Sequence, residues 1–366
     1  MKYAIGRSAS KDPHMALREA TSQLHNPKLI LFFSGVEDFE EYAKKLKELF
    51  PNSITMGATT FASFSKEGAF KDSCMVLGIE EGIECEADVL EEVDCYPLKY
   101  VKLVERCVSK FNNENNLLCL EMTTALISSE ELVLSTLNSV LAKKNIPLFG
   151  GSSGDRGRAE KTMISLNGKI YQNACAFVII KNLTGKIKLY RENIYRPTRH
   201  QFIATKVDAR KRLVYEYNNQ PAALVMAKAL GTEVSNLHKY LDSYPLGRVI
   251  GNEMYITANE AVQPGNAMTY HARIYKNSKM VLLEPDNYKE VLKRTREQVK
   301  TENKKPSLAL MVNCLARSML FEQDGYLNQF AIDMGEALGN YIGFAGYGEQ
   351  LGEQHFNQTM ILAVFE

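Results

Sequence analysis

Two charged residues near the end of the chain, Arg317 and Glu349, are well placed to bind a small charged ligand. Arg317 follows an apolar strand predicted over Leu308–Val312, and Glu349 ends the Gly-rich stretch 343–349. Ligands in open α/β layers tend to sit beyond the carboxyl ends of strands. A guanidinium there can hold a carboxylate through two parallel hydrogen bonds, and a carboxylate can receive an ammonium group. The alternative is that the two residues pair with each other or contact solvent, and a surface ion pair of this kind would contribute little to stability.

The stretch 343–349 contains three glycines within six positions, with aromatic residues such as Tyr347 between them. Glycine permits positive φ and a close approach of the backbone to a neighbour or a ligand. The stretch therefore suits either the rim of a ligand site or a tight structural turn, and by itself it favours the turn. The apolar run Thr359–Phe365 then predicts a buried closing strand.

A second Gly-rich stretch, Phe149–Gly157, resembles a phosphate-binding loop but lacks the Gly-Lys-Ser/Thr ending of a P-loop. Asp155 within it would repel phosphate, although Arg156 and Arg158 follow. The glycines around Gly348 miss the Gly-x-Gly-x-x-Gly spacing of dinucleotide-binding loops by one residue. We therefore predict that the chain binds no nucleotide and uses no cofactor.

Cys314 and His355 are candidates for a nucleophilic pair of the cysteine–histidine type. A free cysteine after an apolar strand is more commonly a buried packing residue, and both interpretations remain open at this point. The histidines lie far apart in sequence and form neither a His-x-x-x-His nor a His-Glu-x-x-His motif. The sequence therefore predicts no metal site.

The order helix, strand, helix, Gly-rich turn, strand occurs three times along the chain. The spacing is too uneven for a solenoid, and Gly57, Gly150 and Gly346, each after the second helix, favour duplication inside one compact protein over the ordinary alternation of any α/β chain. We predict a mixed α/β (α+β) fold of helix-covered β-sheets in layers. The predicted helices are 13–24, 39–50, 100–111, 129–142, 288–300 and 324–340. The predicted strands are 29–33, 74–77, 117–120, 163–166, 174–180, 308–312 and 359–365, and the Gly-containing segments that precede the returning strands of the first two units are 53–60 and 147–155.

A domain boundary is predicted near residue 218. The strand-like Leu213–Tyr217 ends there in two asparagines, and Pro221 opens a helix that Gly231 stops. We therefore predict two domains, 1–217 and 218–366. Within the second domain, the segments 267–275 and 280–284 predict a β-hairpin.

Bulk composition is that of an ordinary globular protein of 366 residues, with a formal net charge of +1. Such a balance gives no global field that would favour nucleic acid or an anionic membrane. No stretch approaches the roughly 20 apolar residues that span a bilayer, and no secretory leader is evident. Seven scattered cysteines without a Cys-x-x-Cys pair favour a reduced, cytoplasmic protein.

Several short motifs, in this order, give the chain a resemblance to a known family. The C-terminal ones are Asn313-Cys-Leu-Ala-Arg317, Gly346-Tyr-Gly-Glu349 and Asn357-Gln-Thr359, and the N-terminal ones are Met56-Gly-Ala-Thr59 and Pro147-Leu-Phe-Gly-Gly-Ser-Ser-Gly-Asp155. They resemble the C-terminal and N-terminal FIST domains (F-box and intracellular signal transduction), with Gln220-Pro-Ala222 and Leu230-Gly231 similar to the family's junction. Ala316 departs from the glycine that the family usually has before the arginine.

The resemblance implies a sensory module that binds a small polar metabolite, with amino acids as the usual suggestion. It implies no catalytic residues, and it leaves the signalling output to a separate partner protein. In this interpretation Arg317 holds the ligand carboxylate, and Glu349 or Asp155 receives the ammonium group. The remaining predicted contacts are N–H groups near Gly150 and Gly151, an apolar wall at Tyr347, and Asn313, Cys314, Gly348 and Thr59.

Two other functions stay open at the level of sequence. An enzyme would use Cys314 or the acids of the cleft on a small metabolite, and its thiol would react rapidly at neutral pH. An interaction scaffold would expose a large apolar patch. The sequence identifies neither the ligand nor the oligomeric state.

Overall fold

The computed structural model of the protein describes residues 1–111, 115–251, 253–303 and 305–366. Contacts between residues divide these into two compact units. The larger unit holds Met1–Arg191, Thr295–Glu353 and Met360–Glu366, and the smaller unit holds Glu192–Arg294 and Gln354–Thr359.

The first repeat runs from the N-terminus to residue 81 and contains two helices and six strands. Its central strands β2 and β3 are parallel, and its first and last strands are antiparallel neighbours at the sheet edge. The elements are β1 (Lys2–Ser8), α1 (Pro13–Ala20), β2 (Leu29–Ser34), α2 (Phe39–Leu49), β3 (Ile54–Thr59), β4 (Ser63–Ser65), β5 (Gly68–Phe70) and β6 (Cys74–Glu81).

The second repeat has the same order of elements. Its sheet is formed in the order β7, β12, β8, β9, which corresponds strand for strand to the first repeat. The elements are β7 (Ile83–Glu91), α3 (Val101–Val108), β8 (Leu117–Thr123), α4 (Glu130–Leu141), β9 (Leu148–Ser152), β10 (Ile164–Leu166), β11 (Lys169–Tyr171) and β12 (Ala174–Asn182).

The third repeat is interrupted in sequence, because most of the smaller unit lies between its first strand and its first helix. That first strand is β13 (Ile187–Asn193). The elements of the smaller unit come next: β14 (Tyr195–Asp208), β15 (Leu213–Tyr217), β16 (Gln220–Pro221), α5 (Ala222–Leu230), β17 (Leu246–Ile250), β18 (Glu253–Thr257), β19 (Asn259–Gln263), β20 (Ala267–Tyr270) and β21 (Lys279–Pro285). The third repeat then continues with α6 (Tyr288–Glu302), β22 (Leu308–Cys314), α7 (Leu315–Gln323), α8 (Leu327–Leu338), β23 (Tyr341–Gly346), β24 (Gly348–Leu351) and β26 (Thr359–Phe365). Strand β25 (Gln354–Phe356), which precedes β26, belongs to the smaller unit.

One strand of each repeat pairs with a strand in the sheet of another repeat. Strand β4 of the first repeat pairs with β23 of the third, β10 of the second pairs with β3 of the first, and β24 of the third pairs with β9 of the second. The exchange closes on itself, so each group of four strands is extended to a six-stranded sheet, and the strand that joins it directly comes from a different repeat. The mixed α/β fold and its internal repetition, both predicted from the sequence, are confirmed.

Local sequence accounts for many of these elements. Helix α1 begins where the Asp12 carboxylate accepts hydrogen bonds from the backbone N–H groups of His14 and Met15, at 2.9 and 3.1 Å, and Pro13 takes the first helical position. Strand β2 is buried along its whole length, as expected for a strand covered on both faces, and the apolar run 29–33 predicts it.

Three segments differ from the sequence prediction. The Gly-rich stretch 343–349 is strand rather than turn up to Gly346, because β22 and β4 hydrogen-bond to β23 on either side. The helix predicted from residue 324 is preceded by a further helix, α7, which carries Arg317. The segments 267–275 and 280–284 form no hairpin: β20 pairs with β15 and β19, whereas β21 pairs with β14 and β17.

Candidate functional site

The Gly-rich segments of the three repeats meet where β3, β9 and β23 end. The backbone N–H of Gly154 donates to the carbonyl of Thr59 at 2.7 Å. The carbonyl of Ala345 accepts from the N–H of Phe61 at 3.1 Å and from the hydroxyl of Thr60 at 2.9 Å. We call this meeting point the junction. Segments that are far apart in sequence therefore share one hydrogen-bonded site inside the larger unit.

Two glycines allow the strands to approach this closely. A Cβ placed on Gly346 would lie 1.8 Å from the carbonyl oxygen of Ser152, and one on Gly154 would lie 2.5 Å from that of Ala345. Neither distance is compatible with a side chain. The glycines at the junction therefore serve backbone packing between repeats.

Asp155 holds the loop that leaves the junction after β9. Its carboxylate accepts hydrogen bonds from the N–H groups of Gly157, Arg158 and Glu160 at 2.8 to 3.1 Å. The hydroxyl of Tyr347 donates to the same carboxylate at 2.6 Å. Burial alone would raise the pKa of Asp155, but the Tyr347 hydroxyl and the loop N–H groups outweigh it and lower the pKa.

Arg317 lies inside the protein, on the first turn of α7, and is only 1% exposed. Its guanidinium carbon is 5.2 Å from the ring centre of Phe321 and 5.8 Å from that of Phe330, so the cation packs against aromatic faces. Asn313 is buried at the end of β22, and its amide donates to the hydroxyl of Ser318 at 2.7 Å. Cys314 is buried beside it, in register with Gly346.

Glu349 is fully buried on β24. Its register partner is Gly151, and the neighbouring pairs are Gly348 with Ser152 and Gln350 with Gly150. The predicted residues Glu349, Gly348, Gly150 and Gly151 are thus brought together by the strand exchange. Thr59 lies in the same region because its carbonyl accepts a hydrogen bond from Gly154, and Tyr347 lies there because its hydroxyl donates to Asp155.

Sequence reasoning missed a buried carboxyl group in the second repeat. Glu121 is fully buried on β8, where Thr123 Oγ1 and Cys175 Sγ contact its Oε2 at 2.5 and 3.5 Å. Its Oε1 has no hydrogen-bond partner among the residues described. Burial raises the pKa of Glu121 to about 8, and Glu130 adds to the rise. An acid within the apolar run 117–122 is the signal that would have located it.

A cavity of about 500 Å³ opens beyond the carboxyl end of β2, beside the loop that Asp155 holds. We call it the strand-end cavity. Its lining carries three cations, three acids and several hydroxyl groups: Lys11, Lys71, Arg156, Glu37, Asp38, Asp72, Ser10, Ser34, Ser73 and Tyr42. Sequence reasoning missed these residues too, because the lining comes from four separate segments of the chain.

Two charged groups of the strand-end cavity have no ion-pair partner among the described residues, namely Lys11 and Asp38. Burial raises the pKa of Asp38, and the neighbouring carboxylates of Glu37 and Glu41 raise it further. Arg156, in contrast, is paired with Asp72 at 2.8 Å and with Glu37 at 3.3 Å. The cavity therefore offers one cation and one acid to a ligand.

Family models match nearly the whole chain. The FIST N domain matches residues 28–220, and the FIST C domain matches residues 222–351. The chain belongs to the FIST family. FIST domains are associated with sensory signal transduction. The two models meet between β16 and α5, inside the smaller unit, so the FIST C match spans residues of both compact units.

Individual proteins resemble this FIST chain distantly. An uncharacterized protein of Methanocaldococcus jannaschii is 25% identical over 384 residues, which cover 92% of this chain and 73% of that protein. Among solved structures, the hydrogenase maturation protein HypE aligns over 79% of this chain and 73% of its own, at 9% identity and a TM-score of 0.16. That score is too low to support any argument about fold or function.

The repeats of the FIST protein differ in the segment that comes after each central strand. After β8 and β22, the next helix carries a buried charged side chain, Glu130 in α4 and Arg317 in α7. After β2, the corresponding place before α2 is the open strand-end cavity. The three repeats therefore differ in the groups that follow their central strand.

None of the helices in the described residues combines the length and the apolar character that crossing a membrane demands. Nowhere in the same ranges do three or more His, Cys, Asp or Glu side chains gather closely enough to hold a metal ion.

Proposed function

We propose that this FIST protein is a sensory module that reversibly binds a small zwitterionic metabolite, such as an amino acid, in the strand-end cavity. The observation that carries the proposal is the presence of unpaired groups of both signs, Lys11 and Asp38, around one open cavity. The cavity lies beyond the carboxyl end of a parallel strand, which is where ligands bind in open α/β sheets.

The polar groups of the cavity suit the two ends of an amino acid. Asp38 is positioned to receive an ammonium group, since the pKa of its carboxyl is raised by burial and by Glu37 and Glu41, and an incoming cation would relieve that cost. The hydroxyl of Ser73 is buried, lines the cavity and has no hydrogen-bond partner among the described residues. Lys11 provides a cation for the ligand carboxylate.

Arg317 and Glu349 remain a second proposal for the ligand contacts, with the roles that the sequence suggests. Both side chains are buried, so a ligand would reach them only after the junction has opened. Signalling in that case would be the shift between a closed and an opened junction, because a ligand favours the state that it binds more tightly. The two proposals predict different effects of substitution.

Titration calorimetry of the full-length protein with each of the common amino acids tests the proposal. A binder present at 100 times its dissociation constant also adds about 2.7 kcal/mol to stability, which a thermal shift detects. If the strand-end cavity is the site, Asp38→Asn and Lys11→Met each weaken binding by about tenfold or more, because each removes a charge-assisted contact. The controls are Lys44→Met and Glu105→Gln, which change exposed charges of the same unit outside the cavity.

The opposite pattern identifies the buried site. Binding that survives Asp38→Asn but is lost in folded Arg317→Lys or Glu349→Gln would move the ligand to the junction. Circular dichroism and the melting temperature of each variant show whether it is folded. If none of the amino acids binds the wild-type protein, this ligand class is rejected.

A further inference from the structure

The smaller unit contains a cavity whose lining is basic and lacks acids. It measures about 410 Å³ and lies between β14, the turn after β15, and α5. The lining comprises Arg199, His200, Gln201, Phe202, Asn218, Gln220, Val225, Lys228 and Ala229. We call it the basic cavity. A chain with a formal net charge of only +1 concentrates cations here without a balancing carboxylate.

The two permanent cations of the basic cavity are available to a ligand. Arg199 and Lys228 form no ion pair with any residue that the structure describes. Both are exposed at the rim, whereas Phe202 is buried below them. Three amide side chains, those of Gln201, Asn218 and Gln220, complete the polar lining.

A β-bulge positions Arg199 and His200. In the pairing of β14 with β21, Pro197 faces Leu283 and Gln201 faces Val281, so the three residues 198–200 lie opposite Leu282 alone. The hydroxyl of Thr198 closes the bulge by donating to the carbonyl of Leu282 at 2.9 Å. Bulges of this kind redirect side chains and are frequent beside functional sites.

A second cavity, of about 500 Å³, adjoins the basic cavity and shares Arg199, His200 and Ala229 with it. It adds the aromatic rings of Tyr240 and Tyr244 and one acid, Glu284. That acid is already paired with Arg196 at 2.8 Å. The positive charge at the bulge is therefore not cancelled from this side.

We propose that the basic cavity binds a small multivalent oxyanion, a metabolite that carries a phosphate group or several carboxylates. The guanidinium of Arg199 would bind two oxygens in parallel, Lys228 would add a point charge, and the amides would donate further hydrogen bonds. The residues belong entirely to the smaller unit, so the inference is independent of the amino-acid proposal for the larger unit. The protein would then respond to two chemically different ligands.

Titration calorimetry of the full-length protein tests the inference, with inorganic phosphate and citrate as probes and potassium chloride holding the ionic strength constant. We expect saturable binding of at least one probe to one site. Arg199→Met and Lys228→Met should each weaken that binding by about tenfold or more. Preference for phosphate over citrate identifies a phosphorylated metabolite as the ligand class, and the reverse identifies a polycarboxylate.

Matched controls separate a site from general charge. Arg210→Met and Lys276→Met remove exposed cations of the same unit that line neither cavity, and they should leave the dissociation constant unchanged. The inference is wrong if the two control variants lose as much affinity for the probe as Arg199→Met and Lys228→Met do. It is also wrong if the heat of binding does not saturate with either probe. Amino-acid binding by the Arg199→Met variant is expected to equal that of the wild type, which keeps this test distinct from the one for the larger unit.

Discussion

Glu121 is a carboxyl group in the interior of the second repeat, with Cys175 and Thr123 as its neighbours. Because burial raises its pKa to about 8, the folded protein keeps this proton at neutral pH, whereas the unfolded chain releases it near the ordinary value of 4.5. The stability that the proton confers is fully present below pH 4.5 and is lost as pH rises toward 8. Between these limits the free energy of unfolding falls by up to roughly 1.4 kcal/mol for each pH unit.

Glu121→Gln removes this dependence, because glutamine has a similar shape and does not titrate. We expect the variant to gain stability over the wild type as pH rises from about 5 to about 8, with melting temperatures measured at each pH. Glu105→Gln, an exposed position on α3, is the control and should follow the wild type. Parallel curves for wild type and Glu121→Gln would show that the carboxyl is ionised in the folded state.

The cysteines are expected to differ sharply in reactivity. Cys95 is exposed and Cys85 is half-buried, whereas Cys314 and the remaining four are buried. We expect Cys95 to react first with an aromatic disulfide reagent in the native protein, and Cys314 to react only after unfolding. Cys95→Ser should remove the fast phase, and mass spectrometry identifies the labelled residue. Rapid native labelling of Cys314 would favour the enzymatic interpretation instead.

Single residues were predictable where the physics is local. The Asp12 cap of α1 follows from its position before Pro13, and the structure contains it. The surroundings of Asp38 and Glu121 were not predictable, since the burial of each side chain depends on segments far away in sequence. The surroundings of Arg317 depend likewise on α7 and α8, whose aromatic residues enclose its guanidinium.

Among the connecting elements, the loop over residues 155–161 depends on one carboxylate. Asp155→Ala removes the acceptor of its N–H groups and of the Tyr347 hydroxyl, at an expected cost of about 3 kcal/mol. Arg156, Arg158 and Lys161 within the loop are already exposed, and loss of the carboxylate leaves the loop backbone free to unfold locally, so trypsin should cleave the variant there much faster than the wild type.

Tyr347→Phe serves as the graded control for this loop, because it removes the two hydrogen bonds of the hydroxyl, with Asp155 and with the N–H of Ala159, but leaves the carboxylate that accepts from the other N–H groups, and it should cause a smaller increase in cleavage. The pKa of Asp155 is lowered in the folded protein, so its contribution is present above the ordinary value of 3.8 and is lost as pH falls. The difference in melting temperature between wild type and Asp155→Ala should therefore shrink near pH 3. Equal rates of cleavage for wild type and Asp155→Ala would show that other contacts hold the loop.

The junction strands are expected to tolerate no side chain at Gly346. Gly346→Ala places a methyl group against the Ser152 carbonyl, and the strands must separate at a cost of about 3 kcal/mol or more. Gly325→Ala is the comparison, since φ is +65° there but no atom lies within 4 Å, which limits its cost to about 1–2 kcal/mol of backbone strain. Urea midpoints measure both, and equal losses would contradict the steric argument.

Element types followed from hydrophobic pattern, but element partners did not. The apolar runs 29–33, 117–120, 308–312 and 359–365 are all strands. The stretch 343–349 was mistaken for a turn because its glycines suggest flexibility, whereas the neighbouring strands β22 and β4 keep the backbone extended. The apparent hairpin 267–284 failed because each strand finds its partner elsewhere in the smaller unit.

At the scale of the whole molecule, the exchange of strands among three repeats determines the fold. Strands adjacent in sequence usually pair with each other, and no pattern in one repeat shows that β4, β10 and β24 pair across repeats. The order of elements in the sequence predicts the repeat. The strand pairing in the structure is needed to show that the exchange closes among the three repeats, and this closure brings the Gly-rich segments together.

Hydrogen exchange measured with each ligand tests whether the protein has two independent sites. An amino acid that binds the strand-end cavity should slow amide exchange chiefly in peptides covering 34–42 and 71–73, whereas phosphate or citrate should slow it chiefly in 197–202 and 225–229. Some amides exchange only when the ligand site opens. For these amides, a ligand at 100 times its dissociation constant should raise the free energy of opening by about 2.7 kcal/mol. Asp38→Asn should remove only the first effect and Arg199→Met only the second. Protection of the same peptides by both ligands would mean that they share one site, because ligands at separate cavities slow the opening of different segments.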